Sequence, residues 1–312
     1  MKDQNTNQFD FIRKPNYEQL LTNPIMDIAA RFWEDERYDA GKICYQSMRV
    51  IDDLIDDRKA AAPRILEVEK EKLVAKVNDW AKAVNSRMPC DSVQKRLIET
   101  ITRFQIPMWP WQRFAKSMIY DIHHDGFETF PVFLQYAEGA AVAPAAIFMH
   151  LCGIVKENDH YSTPRFDIRK AARPIALFAY LVHIIRDFQK DQNSNLNYFA
   201  DDLISESELS LLMLREIAVG NEINTEFRNL MEKYHAVTEN YSRKARRTID
   251  RIGDYLQPRY RLSLEIVYNL YLLIFERIDI PNGRFTTREL TPPPEDIKNR
   301  IDLTISSFES AK

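Results

Sequence analysis

Apolar residues recur three and four positions apart along almost the whole chain, the spacing of an amphipathic α-helix. The run "NPIMDIAARFWEDERYDAGKICYQSMRVIDDLIDD" (23–57) shows it first. "AAPRILEVEKEKLVAKVNDWAKAV" and "SVQKRLIETITRFQ" repeat it, and "IPMWP" stops it, because proline disturbs its own position and the residue before it. "WQRFAKSMIYDIHHD" predicts a further helix, broken at Gly126. "FPVFLQYAEGAAVAPAAIFMHLCGIV" is apolar and rich in small residues. It predicts a helix buried on several sides, packed closely at Gly139, Ala140 and Ala141 and kinked or ended at Pro144. "DIRKAARPIALFAYLVHIIRDFQKD" is the second conspicuous apolar helix, with Pro174 at a kink or near its start. After the polar loop "QNSNLNYFADDL", helical periodicity resumes and runs to "EDIKNRIDLTISSFE". The expected architecture is all-α, with about ten helices in a single domain over 21–312, behind a polar segment over 1–20. No repeat and no domain linker interrupts it.

Composition agrees. Only 7 glycines occur in 312 residues, which suits long helices and argues against a glycine-turned, doubly wound sheet. The formal net charge of -3 does not advertise a nucleic-acid surface. Cys44, Cys90 and Cys152 are far apart and odd in number, the usage of a reducing, cytoplasmic compartment. The polar start carries no apolar signal region. No window is expected to approach the 18 uncharged apolar residues of a membrane span; "YNLYLLIF" is far too short.

Two acidic stretches change the picture. "SMRVIDDLIDD" places Asp52, Asp53, Asp56 and Asp57 inside a helix-like apolar run. Residues four apart share a helix face, so Asp52 points with Asp56, and Asp53 with Asp57. Such pairs repel by roughly 0.2–0.5 kcal/mol in water, and by more when partly buried without a cation. In "HIIRDFQKD", His183, Asp187 and Asp191 form a second stripe, with Arg186 and Lys190 on the adjacent line. Taken alone, each stretch fits a solvated helix face with ordinary ion pairs. Taken together, two carboxylate-lined helices facing each other make an oxygen-rich mouth. Mg²⁺ prefers such ligands, keeps waters and bridges to substrate phosphates. Zinc is a poorer match, since His123 and His124 are adjacent and no Cys/His cluster accompanies them.

The chain resembles the squalene and phytoene synthase family of class I isoprenoid synthases. "YQSMRVIDDLIDD" resembles the first aspartate-rich motif, with Tyr45, Arg49, Asp52 and Asp56 on family positions. "HIIRDFQKD" resembles the second, with Arg186, Asp187 and Asp191 in place. "DIHHDGFETFPVFLQYAEGA", in which Asp121, Thr129, Leu134 and Tyr136 fit, and "NYFADDL" extend the likeness to most of the chain, from about Ile25 to Ile301. It implies a helical terpenoid-synthase bundle around a central cavity that binds two prenyl diphosphates, farnesyl or geranylgeranyl, and joins them head to head. Asp52, Asp56, Asp187, Asp191 and Tyr45 are the implied catalytic residues. Asp52, Asp53, Asp56, Asp187, Asp191 and His183 are the implied holders of Mg²⁺, with Mn²⁺ as the alternative ion. Arg49, Arg186 and Lys190 are the implied diphosphate contacts. NADPH is needed only for a squalene-type ending, and the residues leave that choice open, as they do oligomeric state. Apolar substrates make weak association with the inner face of a membrane compatible with a cytoplasmic protein.

Departures from the family pattern leave the product open. His183 stands where the family has an asparagine, Tyr180 where it has a glutamine, and Ala200 where it has a proline. Glu138 adds a charge to the apolar central helix, with a structural role expected for it. Two rivals remain: a single-substrate class I terpene synthase or prenyl diphosphate lyase, and a catalytically silent assembly protein of the same fold.

Overall fold

The computed structural model describes residues 10–13, 21, 23–61 and 64–310. The expected polar segment 1–20 therefore lies largely outside the described residues, which there show a 3₁₀ turn at Asp10–Arg13. Fifteen α-helices follow among the described residues: α1 (Ile25–Ala30), α2 (Asp35–Ala61), α3 (Glu67–Ser86), α4 (Ser92–Arg103), α5 (Trp109–His123), α6 (Phe130–Ala137), α7 (Ala143–Gly153), α8 (Ile168–Arg186), α9 (Phe188–Asn193), α10 (Asp201–Glu206), α11 (Leu211–Ala218), α12 (Thr225–Ile252), α13 (Pro258–Phe275), α14 (Thr287–Leu290) and α15 (Pro294–Ser310). The count exceeds the ten expected because some apolar runs are interrupted, among them at 31–34, at 138–142 and at Asp187, and because the short α10 and α14 form where the sequence reads as loop. One break is a hairpin that helical periodicity did not predict, β1 (Val155–Glu157) against β2 (His160–Ser162), turned at Asn158 with φ of 57°. Asparagine tolerates that left-handed conformation better than most residues.

The apolar stretch expected as one kinked helix is three pieces. α6 runs into a π-helical turn, Glu138–Val142, before α7 begins with Pro144 in its first turn. Proline offers no N–H to the carbonyl four residues back, so a locally widened turn just before it costs less than a regular one. Gly139 lies in that turn. A Cβ there would fall 2.3 Å from the Arg113 carbonyl oxygen of α5, so only glycine lets the two backbones approach. Ser117 of α5 donates to the Tyr136 carbonyl at 2.7 Å and closes the same contact. Gly139 is thus a packing residue and not the floor of a pocket.

By length and composition Phe130–Gly153 would also suffice to cross a membrane, contrary to the sequence expectation, which overlooked this window. Half of it is buried inside the fold, as befits a core element.

α8 is the central helix, packed against α12, α7, the π turn and α13. Its Leu177, Phe178, Leu181, Val182 and Ile185 are almost wholly buried, each worth about 1.5–3 kcal/mol of transfer from water. α2 packs on α4, α5 and α7. Its buried Arg37 donates to the Leu151 and Ile154 carbonyls at 2.8 and 3.1 Å, satisfying the C-terminal end of α7 where the helix dipole also favours a cation. Both aspartate-bearing helices thus rest on α7, which fixes where their acidic ends stand.

Candidate active site

The first acidic motif lies on the regular helix α2. Arg49 donates to Asp52 at 2.9 Å and pairs with Asp53 as well, both on a half-exposed flank. Burial pushes the Asp52 carboxyl up to about 6, helped by Asp121 and Asp53 and opposed by Arg49. Asp56 is pushed up to about 7, by burial and then by Asp52 and Asp121. Burial is the first cause at both carboxylates; at Asp56 neighbouring carboxylates come next, whereas at Asp52 Arg49 opposes the rise.

Asp121, on α5, matched the family stretch but was not among the expected site residues. It is buried and holds Lys59 of α2 at 2.6 Å, while Lys59 also donates to the His124 carbonyl at 2.8 Å. A sequence signal existed: Asp121 sits on the face of α5 that carries the buried Phe114, Met118 and Ile122. A carboxylate on an apolar stripe needs a partner or a task.

The second motif is not one continuous helix as its spacing suggested. Asp187 ends α8 and starts α9, with φ of -91° and ψ of 5°. The i to i+4 links persist across the break, His183 carbonyl to Asp187 and Asp187 carbonyl to Asp191, so the stripe survives. Arg186 grips Asp187 with both arms, Nε to Oδ1 at 2.7 Å and Nη2 to Oδ2 at 2.9 Å. His183 Nε2 lies 2.9 Å from Asp187 Oδ2, and its Nδ1 accepts from Arg186 Nη2 at 3.3 Å. Burial alone would raise the Asp187 carboxyl, but the hydrogen bonds from Arg186 and His183 hold it well below the usual carboxylate range. Both His183 nitrogens are engaged, so in this arrangement His183 orients Asp187 and has no lone pair left for the metal it was expected to help hold. Asp191 lacks such partners; burial and the Asp187 charge push it up to about 7. Lys190 is exposed and makes no ion pair among the described residues, although its charge reaches Asp191.

The motifs converge on two tyrosines. Burial raises the Tyr180 hydroxyl well above its ordinary value, and Asp121, Asp52, Asp56 and Asp191 all add to the rise. Tyr198 is raised in the same way, by burial and then by Tyr180, Asp56, Asp121 and Asp191. One pair of hydroxyls thus feels carboxylates from α2, α5 and α9. The Tyr180 ring stacks on Phe133 with centroids 5.7 Å apart. "NYFADDL" is held here by a bridge between Phe127 and Ala200, by the Tyr234 hydroxyl accepting from the Ala200 N–H at 2.8 Å, and by Asp202 accepting from the Phe130 N–H at 3.0 Å. Tyr45 is half-exposed on α2; burial raises its hydroxyl, against the pull of Arg49. Tyr271 of α13 links the halves, since its raised hydroxyl, buried first of all, also feels Arg186, Tyr45 and Asp187.

Beside Asp121 opens a cavity of about 120 Å³, lined among others by Lys59, Asp125, Gln192, Asn197 and Tyr198. That is below the roughly 300 Å³ at which small-molecule pockets begin. Glu138, by contrast, is drawn away from any cavity: Arg169 and Arg173 of α8 both bind it, so it ties the π turn to α8.

The donor set fits a hard divalent cation. It is all oxygen, and burial first, with neighbouring carboxylates, holds Asp52, Asp56 and Asp191 back from ionising. Among the described residues no three His, Cys, Asp or Glu side chains already stand in ligating geometry. A cation here would complete its shell with waters and substrate oxygens, which is the habit of Mg²⁺.

The sequence model of squalene/phytoene synthases matches residues 28–295. A solved dehydrosqualene synthase in complex with a ligand superposes with a TM-score of 0.64 at 15% identity, over 92% of this chain and 95% of the other. Squalene synthase HpnC from Alicyclobacillus acidocaldarius superposes with a TM-score of 0.55 at 11% identity, over 88% of this chain and 98% of the other. No curated protein sequence matches the chain. At such identities the two structures speak for the fold alone.

Proposed function

The chain belongs to the squalene/phytoene synthase family, and from that premise we propose that it condenses two prenyl diphosphates, farnesyl or geranylgeranyl, head to head. The observation that carries the reading is the convergence of Asp56, Asp121 and Asp191 around the buried Tyr180 and Tyr198, with Asp52 acting on Tyr180 as well. Asp52, Asp53, Asp56, Asp187 and Asp191 are the residues that would hold Mg²⁺, or Mn²⁺ in its place. The bound ion would neutralise the diphosphate and lower the barrier to its departure.

The chain's own residues bind and orient. Arg49 and Lys190, near opposite motifs and reachable from solvent, take diphosphate oxygens; Arg186 keeps Asp187 ionised and aimed. Breaking the C1–O bond of the first substrate releases diphosphate and leaves an allylic cation. The double bond of the second substrate then supplies the electron pair for the new C–C bond, and loss of a proton closes a cyclopropane. Phe133 and the rings of Tyr180 and Tyr136 present apolar, electron-rich faces and exclude water. Tyr45, near Arg49, donates to the departing diphosphate. Residues 21–312 act as one unit, and the apolar substrates favour work close to a membrane surface.

A second reading is a single-substrate terpene synthase or prenyl diphosphate lyase, because the same carboxylates, Asp52, Asp56 and Asp191, would serve one allylic diphosphate as well as two.

The test is incubation of the pure protein with Mg²⁺ and farnesyl or geranylgeranyl diphosphate, with and without NADPH, beside an Asp52→Asn, Asp187→Asn double variant. A dimeric hydrocarbon or cyclopropyl diphosphate that vanishes in the variant is expected, and NADPH dependence separates the two endings. A monomeric terpene or alcohol would support the second reading. Neither turnover nor Mg²⁺-dependent substrate binding would leave a silent assembly protein.

A further inference from the structure

α5 and α8 each carry acid at one end and base at the other. Asp121 lies near the C-terminal end of α5, and Asp187 closes α8. In the N-terminal halves stand Arg113 and, at mid-helix, Lys116 on α5, and Arg169 and Arg173 on α8. A rise of 1.5 Å per residue puts Trp109 roughly 18 Å from Asp121 along α5, and Arg169 roughly 27 Å from Asp187 along α8. The basic ends therefore form a region distinct from the acidic site.

Between them lies a cavity of about 230 Å³, lined by Trp109, Gln112, Arg113, Lys116 and Arg169. Trp109, Gln112, Arg113 and Lys116 follow the i, i+3, i+4, i+7 pattern, one face of the first two turns of α5. Among the described residues Arg113 and Lys116 have no acidic partner. Arg169 shares Glu138 with Arg173, at 2.9 Å from its own Nη2. Asp167 caps the start of α8 and faces Lys170 at 3.6 Å. Three cations thus line the pocket, and only Arg169 has a carboxylate, one it shares with Arg173, so Arg113 and Lys116 stay uncompensated in a chain whose formal charge is -3. Arg169, in the first turn of α8, also opposes that helix's macrodipole, and α5 has neither a capping side chain nor an acid in its first turn. The arrangement is unfavourable by itself and favourable around an anion. Trp109, half-buried under the Arg169 guanidinium at 5.5 Å, gives the pocket a flat apolar wall.

We propose that this pocket binds a phosphate-bearing anion, free in solution or presented by the headgroup of an anionic lipid. Two or three guanidinium and ammonium groups converging on one cavity are the chemistry that recognises phosphate. Trp109 at its wall suits a group that carries carbon beside the phosphate. The site stands independently of the reaction proposed above, because no residue of it belongs to the acidic motifs.

Titration of the full chain with inorganic phosphate and diphosphate in EDTA, read by calorimetry and tryptophan fluorescence, tests the site. Saturable binding is expected, weakened roughly tenfold or more by Lys116→Glu, an exposed position whose change leaves the fold intact, and also by Arg113→Gln. Trp109→Phe should keep the heat of binding and lose the fluorescence change, which localises the signal. Flotation with phosphatidylcholine vesicles containing phosphatidic acid, against phosphatidylcholine alone, separates the sources. Vesicle binding lost in Lys116→Glu assigns a lipid headgroup, and binding of soluble phosphate alone assigns a free anion. Absence of saturable binding to phosphate, diphosphate and acidic vesicles overturns the proposal. So does binding that survives in Lys116→Glu but disappears in Arg49→Gln, which would place the anion at the acidic motifs.

Discussion

Asp52 and Asp187 hold equivalent places in their motifs, yet the chain treats them differently. Asp187 is gripped by Arg186 and His183 and stays ionised. Asp52 is buried with Arg49 on one flank only, and burial, which Arg49 offsets in part and Asp121 and Asp53 reinforce, pushes its carboxyl up to about 6. The second motif brings its own counter-charge; the first waits for one from outside. Asp191 behaves like the first motif although it belongs to the second. The contrast therefore follows local partners and not sequence labels.

The largest effects should come from the residues that wait. Asp52→Asn and Asp56→Asn should each cut the rate of diphosphate release by roughly 10²–10³-fold while leaving the urea midpoint unchanged or raised, since a repelling charge is removed. A midpoint that falls along with the rate would mean that these carboxylates are structural.

Asp187 should answer in the opposite sense. Asp187→Ala leaves the partly buried guanidinium of Arg186 without its partner and should cost about 2 kcal/mol in urea unfolding. Asp53→Ala, at a half-exposed ion pair, should stay within about 0.5 kcal/mol of the parent. Equal losses at the two positions would erase the distinction.

Acidity sharpens it further. Asp52, Asp56 and Asp191 bind protons more tightly folded than unfolded, so the stability they contribute is fully present below about pH 4 and is lost as pH rises through about 6 to 7. Asp187 is depressed, so its contribution holds above the ordinary carboxylate value and is lost only as strong acid protonates it. Metal-free protein should therefore unfold at a higher urea concentration at pH 5.5 than at pH 8. Asp56→Asn should flatten that slope, and added Mg²⁺ should raise the pH 8 value. A metal-free slope of the reverse sign would refute the assignment. The smallest effect belongs to Lys190→Ala, expected to raise KM about threefold with stability unchanged, as for one exposed charge near a bound anion.

Much of this was legible in the chain. Helical periodicity marked the major helices, and Asp52, Asp56, Asp187 and Asp191 stood out as charges on apolar runs. What the sequence hid depends on contacts between distant segments. Asp121 and Lys59 are 62 residues apart, so their pairing has no local signature. Where α8 ends, Arg186 and His183 both fold back on the Asp187 carboxylate, an arrangement that spacing rules do not see. Glu138 looked out of place in an apolar helix until Arg169 and Arg173 arrived from α8. Gly139 was legible as a point of close packing, but not that its neighbour there is α5.

The π turn at Glu138–Val142 resets the phase of the helix that contains it. A turn holding one residue more than its neighbours rotates everything beyond it by about 100° relative to an unbroken helix. Phe148 and Tyr136 therefore keep a different angular relation from the one that counting by 3.6 assigns. A position matched by simple counting from Tyr136 drifts by one residue once it crosses Val142. Deleting a single residue within 138–142 should straighten the turn and swing α7 by a quarter revolution or more, while leaving α6 where it is. Small insertions and deletions at this one spot are thus a means of re-aiming one wall of the protein without redesigning it.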